Sequence, residues 1–153
     1  YLFADNRLFI AGVASSTQVV YFSAYGSAQD FGTMSTLVTG STDASAGLFN
    51  LAEGGGAVEA LVFDEGSIYA FKKSIIYNIT LSDTIYTIAP IKTFDGKSQT
   101  TGAVNRKSTF VTSNGVVFIT PDNQIMLLDR VENIDSPRVV AISDPSLPTV
   151  RGS

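Results

Sequence analysis

At 153 residues, with 44% apolar and 16% charged side chains, the chain has enough material for a hydrophobic core and is neither a disordered nor a highly charged sequence. It contains no cysteine, which excludes disulfides, thiolate nucleophiles and cysteine-based zinc sites, and no histidine, which removes the commonest general acid/base and imidazole ligand. A net charge of −4 excludes an overall attraction to nucleic acid and leaves room only for a local basic patch.

The apolar run at Tyr1 has no basic flank, and the sequence is expected to be a segment of a larger polypeptide. The first meander is predicted at residues 2–4, a turn at Asp5-Asn6, residues 7–13, a small-residue loop through Ser15 and Ser16, then residues 19–23. A fourth strand is expected at 35–38, followed by a loop over 40–56, where Gly, Ala and Ser dominate. The clearest meander comes next: 58–64, a turn at Glu65-Gly66, 67–71, a turn at Lys72-Lys73, then 74–80, with a fourth strand at 84–91. Residues 92–101 combine charged and polar side chains and are predicted to form a surface loop. The last meander is 108–112, a turn at Ser113-Asn114-Gly115, 116–120, a turn at Pro121-Asp122-Asn123, and 124–129, with a fourth strand at 138–142.

The turns at Asn6, Gly66 and Asn114 align as equivalent tips about 60 and 48 residues apart, a spacing that fits a four-stranded unit plus loops. Within the strongest strands the apolar residues do not alternate. Ile75-Ile76-Tyr77 and Val116-Val117-Phe118-Ile119 are apolar on both sides, so both faces are expected to be buried. Blades stacked face to face provide that environment, and so does the interior of a β-sandwich. The fold class is therefore all-β, in antiparallel four-stranded meanders: a partial β-propeller of about three blades (units about 1–50, 51–100 and 101–150 of one segment), with a β-sandwich as the alternative. Three blades do not close a ring, so the propeller needs more chain or symmetric copies, and more chain is the expectation.

Catalytic and metal motifs find little support. Gly54-Gly55-Gly56 lacks the Lys-Ser/Thr and the helix of a phosphate loop and is expected to be a flexible loop. Asp64-Glu65 falls at a hairpin tip, where desolvation is expected to be weak, and turn chemistry is the expected explanation of the pair. Asp122, Asn123 and Asp129 offer oxygen ligands without the spacing of a calcium loop. No Ser-x-x-Lys occurs, and Asn78-Ile79-Thr80 is a glycosylation sequon inside a strand-like run, expected to be a chance match. No cofactor or metal site is expected. The one charge asymmetry is basic: Lys72, Lys73, Lys92, Lys97, Arg106 and Lys107 are six of the ten cations. Gathered on one rim, they would contact DNA or an acidic partner; dispersed, they are solvated loop charges guarding sheet edges.

Three segments carry a resemblance. RLFIAGVASSTQVVYFSAYGSAQDFG (residues 7–32), ALVFDEGSIYAFKKSIIYNI (60–79) and GAVNRKSTFVTSNGVVFITPDNQIMLL (102–128) are similar, in that order, to a recurring pattern in bacteriophage tail and connector proteins. The resemblance implies a propeller-containing nozzle, hub or packaged-DNA-stabilising protein of the virion, made in the host cytoplasm. It further implies a homo-oligomeric ring around the tail channel, with other virion subunits as partners and non-specific DNA contact. No membrane span is expected, since no run approaches the roughly 18 apolar residues required. The expected function is non-enzymatic and structural. The alternative is a carbohydrate- or peptide-binding surface propeller using Tyr21, Phe22, Tyr25, Tyr69 and Tyr77, and a third reading places an active site elsewhere in a larger propeller.

Overall fold

A computed structural model describes residues 1–32, 38–39, 46–80, 86–91, 101–129 and 138–142. These form three sheets in chain order. The first contains β1 (Leu2–Ala4), β2 (Arg7–Val13), β3 (Ser16–Phe22), β4 (Val38–Thr39) and β5 (Gly47–Asn50). The second contains β6 (Ala60–Asp64), β7 (Ser67–Phe71), β8 (Ile76–Thr80) and β9 (Thr87–Pro90). A single 3-10 turn at Arg106–Ser108 leads into the third: β10 (Thr109–Thr112), β11 (Gly115–Ile119), β12 (Ile125–Asp129) and β13 (Arg138–Ala141). The chain is all-β, and among the described residues no helix is long and apolar enough to cross a membrane.

The second and third sheets are simple antiparallel meanders, with β9 and β13 inside the spans expected for fourth strands. The first sheet departs from expectation. Its order is β1-β2-β3-β5-β4: the fourth antiparallel strand is β5, inside the stretch expected to be a loop, and the two-residue β4 pairs parallel on its outside. Phe49 explains the choice, because in β5 it reaches the inter-sheet core with no residual exposure. The loop expected at 92–101 lies outside the described residues except for Thr101.

Each sheet opens with a two-residue hairpin, closed by the pairs Ala4↔Arg7, Asp64↔Ser67 and Thr112↔Gly115. Asp5-Asn6 and Glu65-Gly66 take positive φ at both turn positions, the conformation whose twist matches the flanking strands. Asn6, Gly66 and Asn114 are thus the second turn residue in all three sheets.

The tips also define a direction. Call forward the face of each sheet that carries the tip-closing pair. Residues sharing that face in the first sheet, Ala4, Phe9, Val20, Phe22 and Phe49, pack on the back face of the second sheet through Leu61, Ile68, Ala70, Tyr77 and Ile79. The forward face of the second sheet, Ala60, Val62, Tyr69, Phe71 and Ile76, packs in turn on the back face of the third through Val116, Phe118 and Leu128. The stacking relation is therefore repeated with the same polarity. The sheets approach most closely through β6, which contacts β1 on one side and β10 and β11 on the other, so the stack converges on its first strands.

Alternation of side chains across a pleat accounts for the second sheet, where one residue set faces each neighbour and both faces are buried, as the sequence pattern predicts. The third sheet differs. Val116 and Phe118 are buried, but Val117 and Ile119 are only half-buried, because no described sheet covers its forward face.

Candidate functional site

Four of the six basic candidates, Lys72, Lys73, Arg106 and Lys107, lie among the described residues, and these four do not share one surface. Lys92 and Lys97 lie outside the described residues. Lys107 is exposed on the 3-10 turn, and Arg106 beside it donates from Nη1 to the Thr109 carbonyl at 3.3 Å and to the Thr109 hydroxyl at 3.1 Å. That turn is set locally: the Asn105 side chain accepts from Lys107 N–H, and the Ser108 hydroxyl accepts from Asn105 N–H. Lys73 is exposed and lies 3.7 Å from Glu59, a contact of small energetic weight.

Lys72 corrects the reading of a basic surface residue. It is fully buried, its Nζ donating to the carbonyls of Leu51 at 2.7 Å and Glu53 at 3.0 Å. The β7–β8 connection keeps Lys72 in the ladder, with its N–H on the Ile75 carbonyl, and this turns the side chain inward. Burial pushes the ammonium below its usual pKa. Tyr77 Oη donates to the same Glu53 carbonyl at 3.0 Å and Ser74 Oγ donates to Gly54 at 2.5 Å, so the segment after β5 is clasped to the second sheet at several points. Lys72 is a structural clamp and offers no charge to a partner.

Two surface clefts flank Glu59. One, of about 470 Å³, is lined by Gly54, Gly55, Gly56, Ala57, Glu59, Lys73 and Ser74. The other, of about 50 Å³, is lined by Tyr1, Ala11, Val58, Glu59, Ala60, Leu61 and Arg106. Each sets one candidate cation beside the same carboxylate, so neither presents a surface of one sign.

Other expected features also find their places. Asp64, expected at an open tip, is buried on the forward face of the second sheet, whereas Glu65 is exposed. Asn78 of the sequon shares the sheet face of Tyr69, and its Oδ1 is buried. Asp122 accepts from the Thr120 hydroxyl and so closes its own turn; among the described residues no three acidic, Cys or His side chains group as a metal site. Of the aromatic residues considered for ligand binding, Phe22, Tyr69 and Tyr77 are core, Tyr21 is half-buried and Tyr25 is exposed.

Sequence reasoning missed Tyr86. Its ring lies 5.4 Å from both Phe22 and Phe49, edge to face, and its hydroxyl donates to Asp5 Oδ2 at 2.9 Å, tying the second sheet to the first tip. Buried Arg7 stacks its guanidinium 5.3 Å from the Phe22 ring centre, 5.7 Å from Tyr25 and 6.0 Å from Tyr86, and donates to the Ser23 carbonyl. Burial, reinforced by the hydrogen bond to Asp5, raises the Tyr86 pKa well above its ordinary value of 10.0. The folded state therefore holds this proton where the unfolded chain releases it, and the associated stability is lost as pH rises above 10.0. Tyr86→Phe is expected to cost about 1 kcal/mol at pH 7 through the lost hydrogen bond. Above pH 10.0 its stability should decline less steeply than that of the unaltered chain, so that the gap narrows in urea unfolding across pH 8 to 11. A constant gap throughout would exclude this role.

Two sheet faces carry apolar residues without a described neighbour. On the back of the first sheet the register aligns Ile10, Tyr21 and Leu48, with Phe3 beside Leu8. On the front of the third it aligns Phe110, Val117, Leu127 and Val140, with Ile119 beside Ile125. All are half-buried or exposed, Phe3 at 59% and Phe110 at 57%. Neighbouring exposed apolar side chains on one sheet face mark an interaction surface more often than scattered hydrophobes do.

No protein-family model, curated protein or solved structure matches the chain.

Proposed function

We propose that this chain is a non-enzymatic assembly module, a rigid arc of β-propeller blades within a structural protein of a bacteriophage tail or head-to-tail connector. The observation that carries the assembly reading is the repeated forward-to-back stacking of three sheets that leaves, among the described residues, an apolar face uncovered at each end. A stack whose first strands converge is wedge-shaped, and wedges of constant polarity close into rings. The virion setting rests on the resemblance of residues 7–32, 60–79 and 102–128 to tail and connector proteins. Other virion subunits are the partners of this reading, and the exposed cations Lys73, Arg106 and Lys107 are the described groups that would meet DNA.

The test is to express the parent reading frame and image it by electron microscopy. Ring-shaped particles with a central channel are expected. Compact particles without a channel at micromolar concentration would overturn the reading.

A further inference from the structure

We propose that the forward face of the third sheet docks on the back face of the first sheet of a second copy of this chain, so that two copies close one six-bladed ring. The proposal rests on the assembly reading above and adds the partner and the surfaces.

The occupant follows from the polarity of the stack. Twice within the chain a forward face meets a back face: Phe22 and Phe49 against the layer of Ile68 and Tyr77, then Phe71 against Phe118 with ring centres 5.1 Å apart. The open face of the first sheet is a back face and the open face of the third is a forward face. They are therefore the two halves of the contact already made twice, carried by the terminal sheets of one molecule. An isologous contact, forward on forward, would reverse the direction of the stack and juxtapose surfaces that meet nowhere inside the chain.

The apolar pattern agrees. Val116-Val117-Phe118-Ile119 in β11 is apolar on both sides, as Ile68-Tyr69-Ala70-Phe71 is in the doubly buried β7. In β11 only one side is covered; Val117 and Ile119 have the composition of an interior strand without its neighbour. On the first sheet Leu8 and Ile10 of β2 stand in the same relation to buried Phe9. The number of copies follows from closure. Propellers close with about 4 to 8 blades, the described residues of these 153 supply three sheets, and two such segments give six, the one multiple of three in that range.

The experiment uses the 153-residue chain with single substitutions on each face. Leu127→Glu blocks the forward face and Ile10→Glu the back face; both residues are only half-buried, and circular dichroism checks that each variant folds. If either fails to fold, Ile125→Glu and Phe3→Glu probe the same faces from positions 42% and 59% exposed. Native mass spectrometry is expected to find a dimer of the unaltered chain and monomers of each variant, with association weakened on the order of a hundredfold. Mixing the two variants is expected to give a one-to-one heterodimer, weaker than the unaltered dimer, because one seam is unmodified while the other sets Leu127→Glu against Ile10→Glu. A dimer that persists in the Ile10→Glu variant alone overturns head-to-tail docking. A monomeric unaltered chain overturns docking between copies; if the parent polypeptide still forms rings, the assembly reading stands with the closing blades supplied by that polypeptide.

Discussion

Replacing Phe22 with alanine is expected to lower the unfolding free energy by about 4 kcal/mol, which is a large share of the 5 to 15 kcal/mol typical of a whole domain. Phe22 has no residual exposure and stands between Phe9, Phe49 and Tyr86, with ring centres at 6.0, 5.0 and 5.4 Å. It also provides the nearest aromatic face to the buried Arg7 guanidinium, at 5.3 Å. Truncation therefore opens a cavity and removes the surface on which a charge is stacked, two losses that add to the transfer term. Urea unfolding is the measurement, with a reduced midpoint and an unchanged slope as the expected pattern. Phe3→Ala, at an exposed site on the opposite face, should shift stability by no more than about 0.5 kcal/mol. Equal effects at the two positions would mean that the first and second sheets are not packed as described.

The contrast between those two phenylalanines shows what the sequence conveys. Strands with an Asn or Gly tip between two apolar arms were legible, because positive φ at Asn6 and Gly66 and alternation along the arms are local requirements. Strand β5 was not, since four residues set among Gly, Ala and Ser have too little periodicity, and only the pair Leu48-Phe49 hints at their burial. Lys72 was misread for a related reason. A cation beside a second lysine at a hairpin end looks solvated, and only the path of the segment after β5 brings the Leu51 and Glu53 carbonyls within reach of Nζ. Tyr86 likewise acquires its place through a partner 81 residues away. The open faces lie between these cases. Their apolar character was visible in the runs around Ile10 and Val117, but that each face lacks a neighbour among the described residues is a property of the stacking.

Gly102→Ala is the second substitution expected to have a large effect, and its origin is backbone rather than core. A methyl group on Gly102 would lie 1.8 Å from the Lys72 carbonyl oxygen and 3.0 Å from that of Ile75, far inside the roughly 3.5 Å at which such atoms rest. Both obstacles are backbone, so no side chain can swing aside. Relief requires residues 102–104 to move away from the β7–β8 connection, breaking the bonds from Gly102 N–H to Lys73 and from Ala103 N–H to Lys72, each 3.0 to 3.1 Å long. Val104 N–H, bonded to Ile119 at 3.0 Å, ties the same segment to the third sheet, so the displacement would loosen the contact between sheets two and three. A loss of about 3 kcal/mol or more is expected. Gly55→Ala separates this clash from the general effect of removing a glycine: at φ +58 with no atom within 4 Å it should cost only the roughly 1 to 2 kcal/mol of a left-handed alanine. If the two alanine variants unfold at the same urea concentration, the close approach of Gly102 to Lys72 does not hold the second and third sheets together.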